Sequence, residues 1–232
     1  MKVFAIGDLH LPGGDKKPMD VFGPHWERHF ERICEDWRAR VTPEDLVLIP
    51  GDISWAMQLS AAREDLLSIA ALPGTTLILR GNPDYWWASL TQLRDLLPAN
   101  MHAVQNDAYD AGTCVICGTR GWTIPPANGA DAQDEKIYRR EALRLGLSLD
   151  AAQRIARGRP IVAMLHYPPF NERQEDSAFT ALFEKYGVQR VVYGHLHGPG
   201  TRYAFNGTRN GVSYQLTSSD AIDFSPRLIF ET

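Results

Sequence analysis

Side chains able to bind metal ions follow short apolar segments at several places in the sequence. An Asp-x-His motif, a Gly-Asp pair, a Gly-Asn pair, a single histidine and a Gly-His-x-His motif each come directly after such a segment. One such aspartate alone is more often a helix cap or a turn residue, and one such histidine alone is more often a hydrogen-bonded core residue. The ordered set favours a shared site instead. It comprises Asp8, His10, Asp52, Asn82, His166, His195 and His197.

The donor types in this set are those that bind first-row transition metals. Two aspartates and four histidines gathered in one place would repel one another or become protonated unless a cation held them. Carboxylate, amide and imidazole donors without thiolate favour divalent or trivalent Mn, Fe, Zn, Co or Ni. Seven ligands exceed the needs of one tetrahedral ion, which favours two ions that share a carboxylate. Two such ions, about 3.5–4 Å apart, suit an in-line displacement at phosphorus.

Alternating strands and helices must bring these side chains together. In open α/β sheets, ligands bind at the carboxyl ends of the strands. Nearly continuous apolar runs predict strands that are buried on both faces. These predicted strands are Lys2–Gly7, Asp45–Ile49, Thr75–Leu79, Thr113–Cys117, Ile161–Leu165 and Arg190–Tyr193. The tail, residues 201–230, predicts further strands in the segments RYAFN, GVSYQL and RLIF, around Asn-Gly turns at Asn206-Gly207 and Asn210-Gly211.

Periodic apolar positions predict the helices between the strands. The predicted helices are Trp26–Trp37, a helix capped by Ser60 that runs to Ala70, Trp86–Leu97, Asp131–Ile155 with a break near Gly146, and Ser177–Tyr186. No repeat or linker divides the sequence, so we expect one domain over residues 1–232. The β-α-β alternation followed by hairpin-like strands predicts a mostly parallel sheet joined by a more antiparallel one.

In this order, D-x-H, G-D, G-N, a strand-terminal H and G-H-x-H resemble the motifs of the calcineurin-like metallophosphoesterases. The resemblance extends from Asp8 to His197. It implies an α/β fold in the form of a four-layer αββα sandwich, with two mixed β-sheets flanked by helices. It also implies a metal-dependent phosphoric ester hydrolase that acts on a phosphate-ester small molecule or a nucleotide.

The resemblance assigns the ligands of two metal ions. One ion would be held by Asp8, His10, Asp52 and His197. The other would be held by Asp52, Asn82, His166 and His195. Asp52 would bridge the two ions, and a metal-bridging hydroxide would be the nucleophile.

The sequence departs from the family pattern at position 83. The family's third motif reads Gly-Asn-His followed by Asp or Glu, whereas this chain reads Gly81-Asn82-Pro83-Asp84. The missing histidine usually assists the leaving oxygen, oriented by the acid that Asp84 represents. A general acid contributes about 10²–10⁴ in rate. We therefore expect a retained metal site with weakened leaving-group assistance. Three explanations of Pro83 stay open: a weak or regulatory homologue, replacement of the acid by His25 or His29, and an altered sequence. The alternative function is a catalytically silent metal- or phospholigand-binding module.

Three further features are candidates for substrate contacts. Arg120 follows a strand, where its guanidinium could bind a phosphate oxygen, although a solvated surface arginine is an equally good interpretation. Residues 167–170, beside His166, could wall a pocket or simply end a strand. The aromatic residues 85–87 could stack on a nucleobase, but their spacing favours core packing.

Composition and short sequence patterns disfavour several functional classes for this chain. The net charge of −4 disfavours a partner such as duplex nucleic acid. No apolar run is long enough to span a membrane, and no secretory signal is visible. The three cysteines lack framework spacing, which predicts buried thiols in a cytoplasmic protein. Neither G-x-G-x-x-G nor G-x-x-x-x-G-K-[ST] occurs, which disfavours an ordinary nucleotide-binding domain.

Overall fold

The computed structural model describes residues 1–14, 18–126 and 131–231. The strands in these ranges are β1 (Lys2–Ala5), β2 (Leu46–Ile49), β3 (Thr75–Ile78), β4 (Met101–Ala103), β5 (Ala108–Asp110), β6 (Val115–Thr119), β7 (Ile161–Leu165), β8 (Arg190–Tyr193), β9 (Gly207–Arg209), β10 (Val212–Leu216) and β11 (Arg227–Glu231). The helices are α1 (His29–Arg40), α2 (Leu59–Ala70), α3 (Leu90–Leu96), α4 (Ala132–Ala156) and α5 (Ala178–Lys185). None of these helices is long and apolar enough to cross a bilayer.

The strands form two mixed sheets. The first has five strands in the order β11-β1-β2-β3-β4, and the second has six in the order β5-β6-β7-β8-β10-β9. In the first sheet, β1 to β4 are parallel and β11 is antiparallel. In the second sheet, β6, β7, β8 and β10 are parallel, with antiparallel strands at both edges. The parallel strands of each sheet therefore end at a common edge.

Helices cover the outer faces of both sheets, which gives the expected four-layer αββα sandwich. Along β2, Val47 and Ile49 pack against the helices α1 to α3, whereas Leu46 and Leu48 face the second sheet. Both faces of the strand are buried, which explains its continuous apolar sequence. The helices α4 and α5 cover the other side of the second sheet.

The predicted internal strands all form, within a few residues of their expected bounds. The strands β4 and β5 escaped prediction because each has only three residues. Cys114 and Cys117 are buried and free, as predicted. Burial raises the pKa of the two thiols to about 11 and about 12, so they behave as small apolar groups.

The predicted break near Gly146 is wrong, because α4 continues through this residue to Ala156. Leu145, Leu149 and Ala152 bury one face of the helix against the second sheet. A helical glycine costs only about 0.5–1 kcal/mol, which this packing outweighs. The first helical turn is capped by Asp131, whose carboxylate accepts from two backbone N–H groups.

Three predicted helix starts are also wrong. The helix α1 begins at His29 rather than Trp26, because Arg28 adopts a left-handed conformation with φ 52°. The predicted cap at Ser60 is replaced by Gln58, with no side-chain cap. The predicted helix from Trp86 shortens to α3, whose cap is Ser89.

The tail differs from prediction in its first segment. Residues Gly198–Tyr203 form a short 3-10 helix, so the predicted strand in RYAFN does not form. Asn210 and Gly211 make the hairpin turn between β9 and β10, both with positive φ, as in a type I′ turn. The other predicted turn is absent because Gly207 begins β9, and the side chain of Asn206 instead accepts from the backbone N–H of Leu216.

Replacing Gly146 by alanine tests the continuity of α4. Apart from its chain neighbours and the nearby backbone of α4, no atom of the described residues lies within 4 Å of the position its Cβ would take. We expect Gly146→Ala to raise the free energy of unfolding by about 0.5–1 kcal/mol, measured by urea denaturation. Gly187→Ala is the matched control, since Gly187 has equal space but a φ of +64° and should destabilise instead. Destabilisation by Gly146→Ala would show a break at this residue.

Candidate metal centre

The carboxyl ends of β1, β2, β3, β7 and β8 bring all seven sequence-predicted ligands together. Two groups have ligand atoms within 4.8 Å of one another: Asp8, His10 and His197 form one, and Asp52, His166 and His195 form the other. The groups adjoin, because His10 Nε2 lies 3.9 Å from Asp52 Oδ2. Asn82 joins the second group, with its Oδ1 2.6 Å from His166 Nε2 and 2.9 Å from His195 Nδ1.

The backbone that carries these ligands is unusual. Asp8, His10, Asp52 and His195 all have positive φ, between 46° and 75°. Non-glycine residues rarely adopt this conformation, and it clusters at functional sites where the surrounding fold enforces it. The fold thus holds these four residues in energetically unfavourable backbone conformations, and these conformations direct their side chains toward one another.

Two glycines make room for the carboxylates. A Cβ on Gly81 would lie 1.9 Å from Asp52 Oδ1, and a Cβ on Gly194 would lie 2.4 Å from Asp8 Oδ2. Neither contact is possible between real atoms. Gly81 therefore allows the backbone after β3 to approach the aspartate that follows the adjacent strand β2, and Gly194 allows the backbone after β8 to approach Asp8 in the other sheet.

The charges of the site are poorly balanced without a cation. Burial opposes ionisation of Asp8, but the hydrogen bond and charge of His197, with the other imidazoles, hold the pKa of that carboxyl well below its usual range. Burial, and then the nearby carboxylates, raises the pKa of Asp52 far above it. Burial lowers the pKa of His166 to about 3 and that of His10 to about 4. A bound cation would favour the ionised carboxylates and neutral imidazoles together.

Hydrogen bonds on the far side of two rings set their orientation. His166 Nδ1 lies 3.0 Å from the carbonyl oxygen of Pro50, which leaves Nε2 facing the centre. His197 Nδ1 lies 2.8 Å from Asp220 Oδ1, and Nε2 then faces Asp8 Oδ1 at 3.5 Å. A carboxylate behind a ligating imidazole is typical of metal sites. Asp220 escaped the sequence analysis because it lies in the tail, outside every motif.

Residues 1–199 match the calcineurin-like phosphoesterase family. The chain belongs to this family. No curated protein matches the sequence significantly. The fold is similar to that of phosphopantetheinyl hydrolase from Mycobacterium tuberculosis, with a TM-score of 0.58, 14% identity and coverage of 94% of this chain and 88% of the other.

Two more solved structures share the fold of this phosphoesterase. A protein of unknown function from Aquifex aeolicus has a TM-score of 0.51 at 14% identity, with coverage of 97% of this chain and 94% of the other. A protein from Thermus thermophilus has a TM-score of 0.56 at 13% identity, with coverage of 84% and 81%. At such identities the likeness concerns the fold.

The family resemblance assigns Asp84 to orient a histidine at position 83, which this chain lacks. In this phosphoesterase Asp84 contacts the backbone of two loops instead. Its fully buried carboxylate accepts from the backbone N–H groups of Asp52, Ile53, Ser54 and Gly81, and from Trp86 Nε1, at 2.7–3.2 Å. Asp84 therefore ties the loop after β2 to the loop after β3. It thereby holds the ligand candidates Asp52 and Asn82 in a fixed position relative to each other.

The two histidines considered as replacement acids lie elsewhere. His29 Nε2 is 2.9 Å from the carbonyl oxygen of Leu9, and its ring contacts Trp26. His25 is exposed and also contacts Trp26. Trp26 in turn packs against His197. Both histidines thus lie beyond the first metal group, so a role in assisting the leaving group stays a prediction for either of them.

Of the other candidate residues, two tryptophans lie in the core and Tyr167 lines a cleft. Trp86 and Trp87 are buried, as core packing predicts, whereas Tyr85 is 60% exposed. The ring of Tyr167 lies 4.2 Å from that of His195 and lines an open cleft of about 710 Å³. The guanidinium of Arg120 stacks on the indole of residue 122 at 4.8 Å. A contact between Arg120 and substrate stays a prediction.

Removal of the charge of Asp84 tests its role as the tie between the two loops. Asp84→Asn replaces one acceptor oxygen by a donor that faces N–H groups. We expect a loss of about 2–3 kcal/mol in the free energy of unfolding, together with reduced metal content measured by elemental analysis. Asp95→Asn, at an exposed position of α3, is the control. A variant of Asp84 with unchanged stability and metal content would contradict the assignment.

Asp220→Asn tests the support of the first metal group. Although burial opposes protonation of His197, the hydrogen bonds and charges of Asp220 and Asp8 raise its pKa to about 10. We expect the variant to bind metal about 10–100-fold more weakly and to lower the pKa of His197 in the metal-free protein, measured by NMR titration. Asp223→Asn, exposed on the same segment, should change neither. Equal metal affinity in both variants would exclude the proposed support.

Proposed function

We propose that the chain is a dinuclear-metal phosphoesterase that hydrolyses a P–O bond in a phosphate-ester small molecule or a nucleotide. The adjacency of the two ligand groups at Asp52 carries this proposal. When bound, two ions in such a site lower the pKa of water so that a nucleophile exists at neutral pH, and they stabilise the attacking and leaving oxygens.

The residues present fit such a pair of ions. Asp8, His10, Asp52 and His197 would hold one ion, and Asp52, Asn82, His166 and His195 would hold the other. The donors are oxygen and imidazole nitrogen, which suits Mn, Fe, Zn, Co or Ni. The buried His10 Nδ1 has no hydrogen-bond partner among the described residues, and its ring is held instead by stacking on Trp55 at 4.9 Å.

The cleft beside Tyr167 supports an organic ester as the substrate. Its wall combines Tyr167, Phe170 and Tyr203 with Glu172 and Arg173. Apolar rings with a few polar groups are typical of small-molecule sites, and about 300–1,000 Å³ is their usual volume. We infer that the cleft receives the organic part of the ester while the phosphoryl group faces the metal ligands.

Leaving-group assistance is the weak point of this site. Pro83 has neither an ionisable side chain nor a backbone N–H, and it is buried beside Asn82. The carboxylate of Asp84 is engaged by five donors and is not free to orient another group. We therefore expect faster hydrolysis of aryl esters, whose leaving groups need no proton, than of alkyl esters. The same observation favours the second candidate, a silent metal- or phospholigand-binding module.

A comparison of three proteins separates these candidates. We expect the metal-loaded chain to hydrolyse p-nitrophenyl phosphate or its diester, and Asp52→Asn to abolish this turnover with the fold intact by circular dichroism. Pro83→His should increase the rate on alkyl phosphates more than on aryl phosphates, by up to about 10²–10⁴. Bound metal with no turnover until histidine is restored would establish the silent module. Absence of bound transition metal, with Asp8, His166 and His195 all replaceable, would contradict both.

We infer one phosphoesterase domain over residues 1–232, because side chains such as Leu48 and Met164 from different sheets share one apolar layer. We also infer a cytoplasmic protein, since all three cysteines are buried and free.

A further inference from the structure

A second cavity of about 260 Å³ lies beside the metal centre, where the ends of β3 and β4 meet the end of β6 and the helix α4. Four arginines line it: Arg80, Arg120, Arg140 and Arg144. The cavity is therefore large enough to hold a small polyatomic ion.

Only part of this positive charge is compensated. Glu141 is buried, and its Oε1 lies 2.6 Å from Arg144, 3.9 Å from Arg140 and 4.0 Å from Arg120. Its Oε2 accepts from the hydroxyl of Thr119. No other carboxylate among the described residues pairs with these arginines, so four guanidinium groups face one carboxylate and leave three positive charges.

Arg80 is the least satisfied of the four. Its guanidinium forms no hydrogen bond or ion pair with the described residues, and its Nε is buried without a partner. A buried guanidinium donor left unpaired is costly. Burial also lowers the pKa of Arg120, against the opposing charge of Glu141. The cavity is thus lined by four guanidinium groups that share one carboxylate, which favours an oxyanion as a further partner.

The cavity adjoins the metal centre without sharing its ligands. Arg80 precedes Asn82 by two residues, a span of at most about 7 Å. The backbone carbonyl of Arg120 accepts from the N–H of the metal-ligand candidate His166 at 3.0 Å. An anion held by the arginines would therefore lie at the same end of the strands as the metal ligands, bound by separate side chains.

We propose that the four arginines form a binding site for a second phosphate-type oxyanion, distinct from the phosphoryl group that reacts. Guanidinium groups bind phosphate through paired, charge-assisted hydrogen bonds. Gln105 and Asn106 add polar atoms to the wall. The anion is either a second phosphoryl group of the substrate, in which case the site rests on the proposed function, or free inorganic phosphate.

Calorimetric titration with inorganic phosphate tests the site itself. We expect the chain to bind phosphate both metal-loaded and after removal of metal by a chelator. Arg80→Gln and Arg140→Gln should each weaken the binding to the metal-free chain about tenfold, and added salt should weaken it in the unmodified chain. Arg140 is half exposed, so its replacement keeps the fold testable. Arg139→Gln, on the exposed face of the same helix, is the matched control and should stay within twofold.

Loss of all phosphate binding on removal of metal, with circular dichroism unchanged, would overturn the proposal. So would equal affinities in Arg139→Gln and Arg140→Gln. If the chain hydrolyses no ester, the proposed function fails, but this titration still decides whether the arginine site exists.

Kinetics then distinguish the source of the anion. The substrates are a nucleoside 3′,5′-bisphosphate and the corresponding monophosphates. If the anion belongs to the substrate, Arg140→Gln raises KM for the bisphosphate about tenfold more than KM for either monophosphate. If the anion is free phosphate, the variant changes all three KM values by the same factor and abolishes the response of the rate to micromolar phosphate. Unchanged KM values for all three substrates, together with a phosphate response equal to that of the unmodified chain, would contradict both sources.

Discussion

The closeness of two buried carboxylates, Asp8 and Asp52, is the constraint on which the site depends. Each carboxylate alone would be hard to bury, and together they oppose each other's ionisation. The fold brings them close by leaving only hydrogen atoms at Gly81 and Gly194, where a Cβ would touch a carboxylate oxygen. It offsets their charge with imidazoles from the second sheet. Two carboxylates and four imidazoles are therefore gathered where the two sheets meet, an arrangement that bound cations would stabilise.

Two carboxylates can be held close together only by a rigid backbone, and the hydrogen bonds of Asp84 provide much of that rigidity. Backbone N–H groups of the loop after β2 and of the loop after β3 converge on one buried carboxylate. Hydrogen bonds to a charged acceptor are about twice as strong as neutral ones, so this single side chain fixes both loops. The strained conformation at Asp52 persists because such contacts over-determine it. On the opposite side, Asp220 plays a comparable part for His197 through a single contact.

The sequence was sufficient to predict which side chains gather at the candidate metal centre, but not the residues that support them. Asp8 or His195 can be recognised because each follows an apolar run, and strand ends converge in an open sheet. The role of Asp220 depends on a contact with His197 across 23 positions, which no local pattern reveals. The error at Gly146 has the opposite origin, because local propensity predicts a break that core packing overrides. Short strands such as β4 were not predicted, because three residues are too few to show a periodic pattern of apolar positions.

The loop of residues 81–84 separates two tasks that its motif usually combines. Gly81 and Asp84 position the backbone, Asn82 offers a ligand oxygen, and the residue at 83 would supply the proton to a leaving group. The five hydrogen bonds of Asp84 do not involve the side chain at 83, so proline there leaves the positioning contacts intact. Proline also favours an extended conformation for the residue before it, which suits Asn82 at a strand exit. Under the proposed function, metal binding in this loop would not depend on a proton donor at position 83, because the contacts that position Asn82 do not involve that side chain.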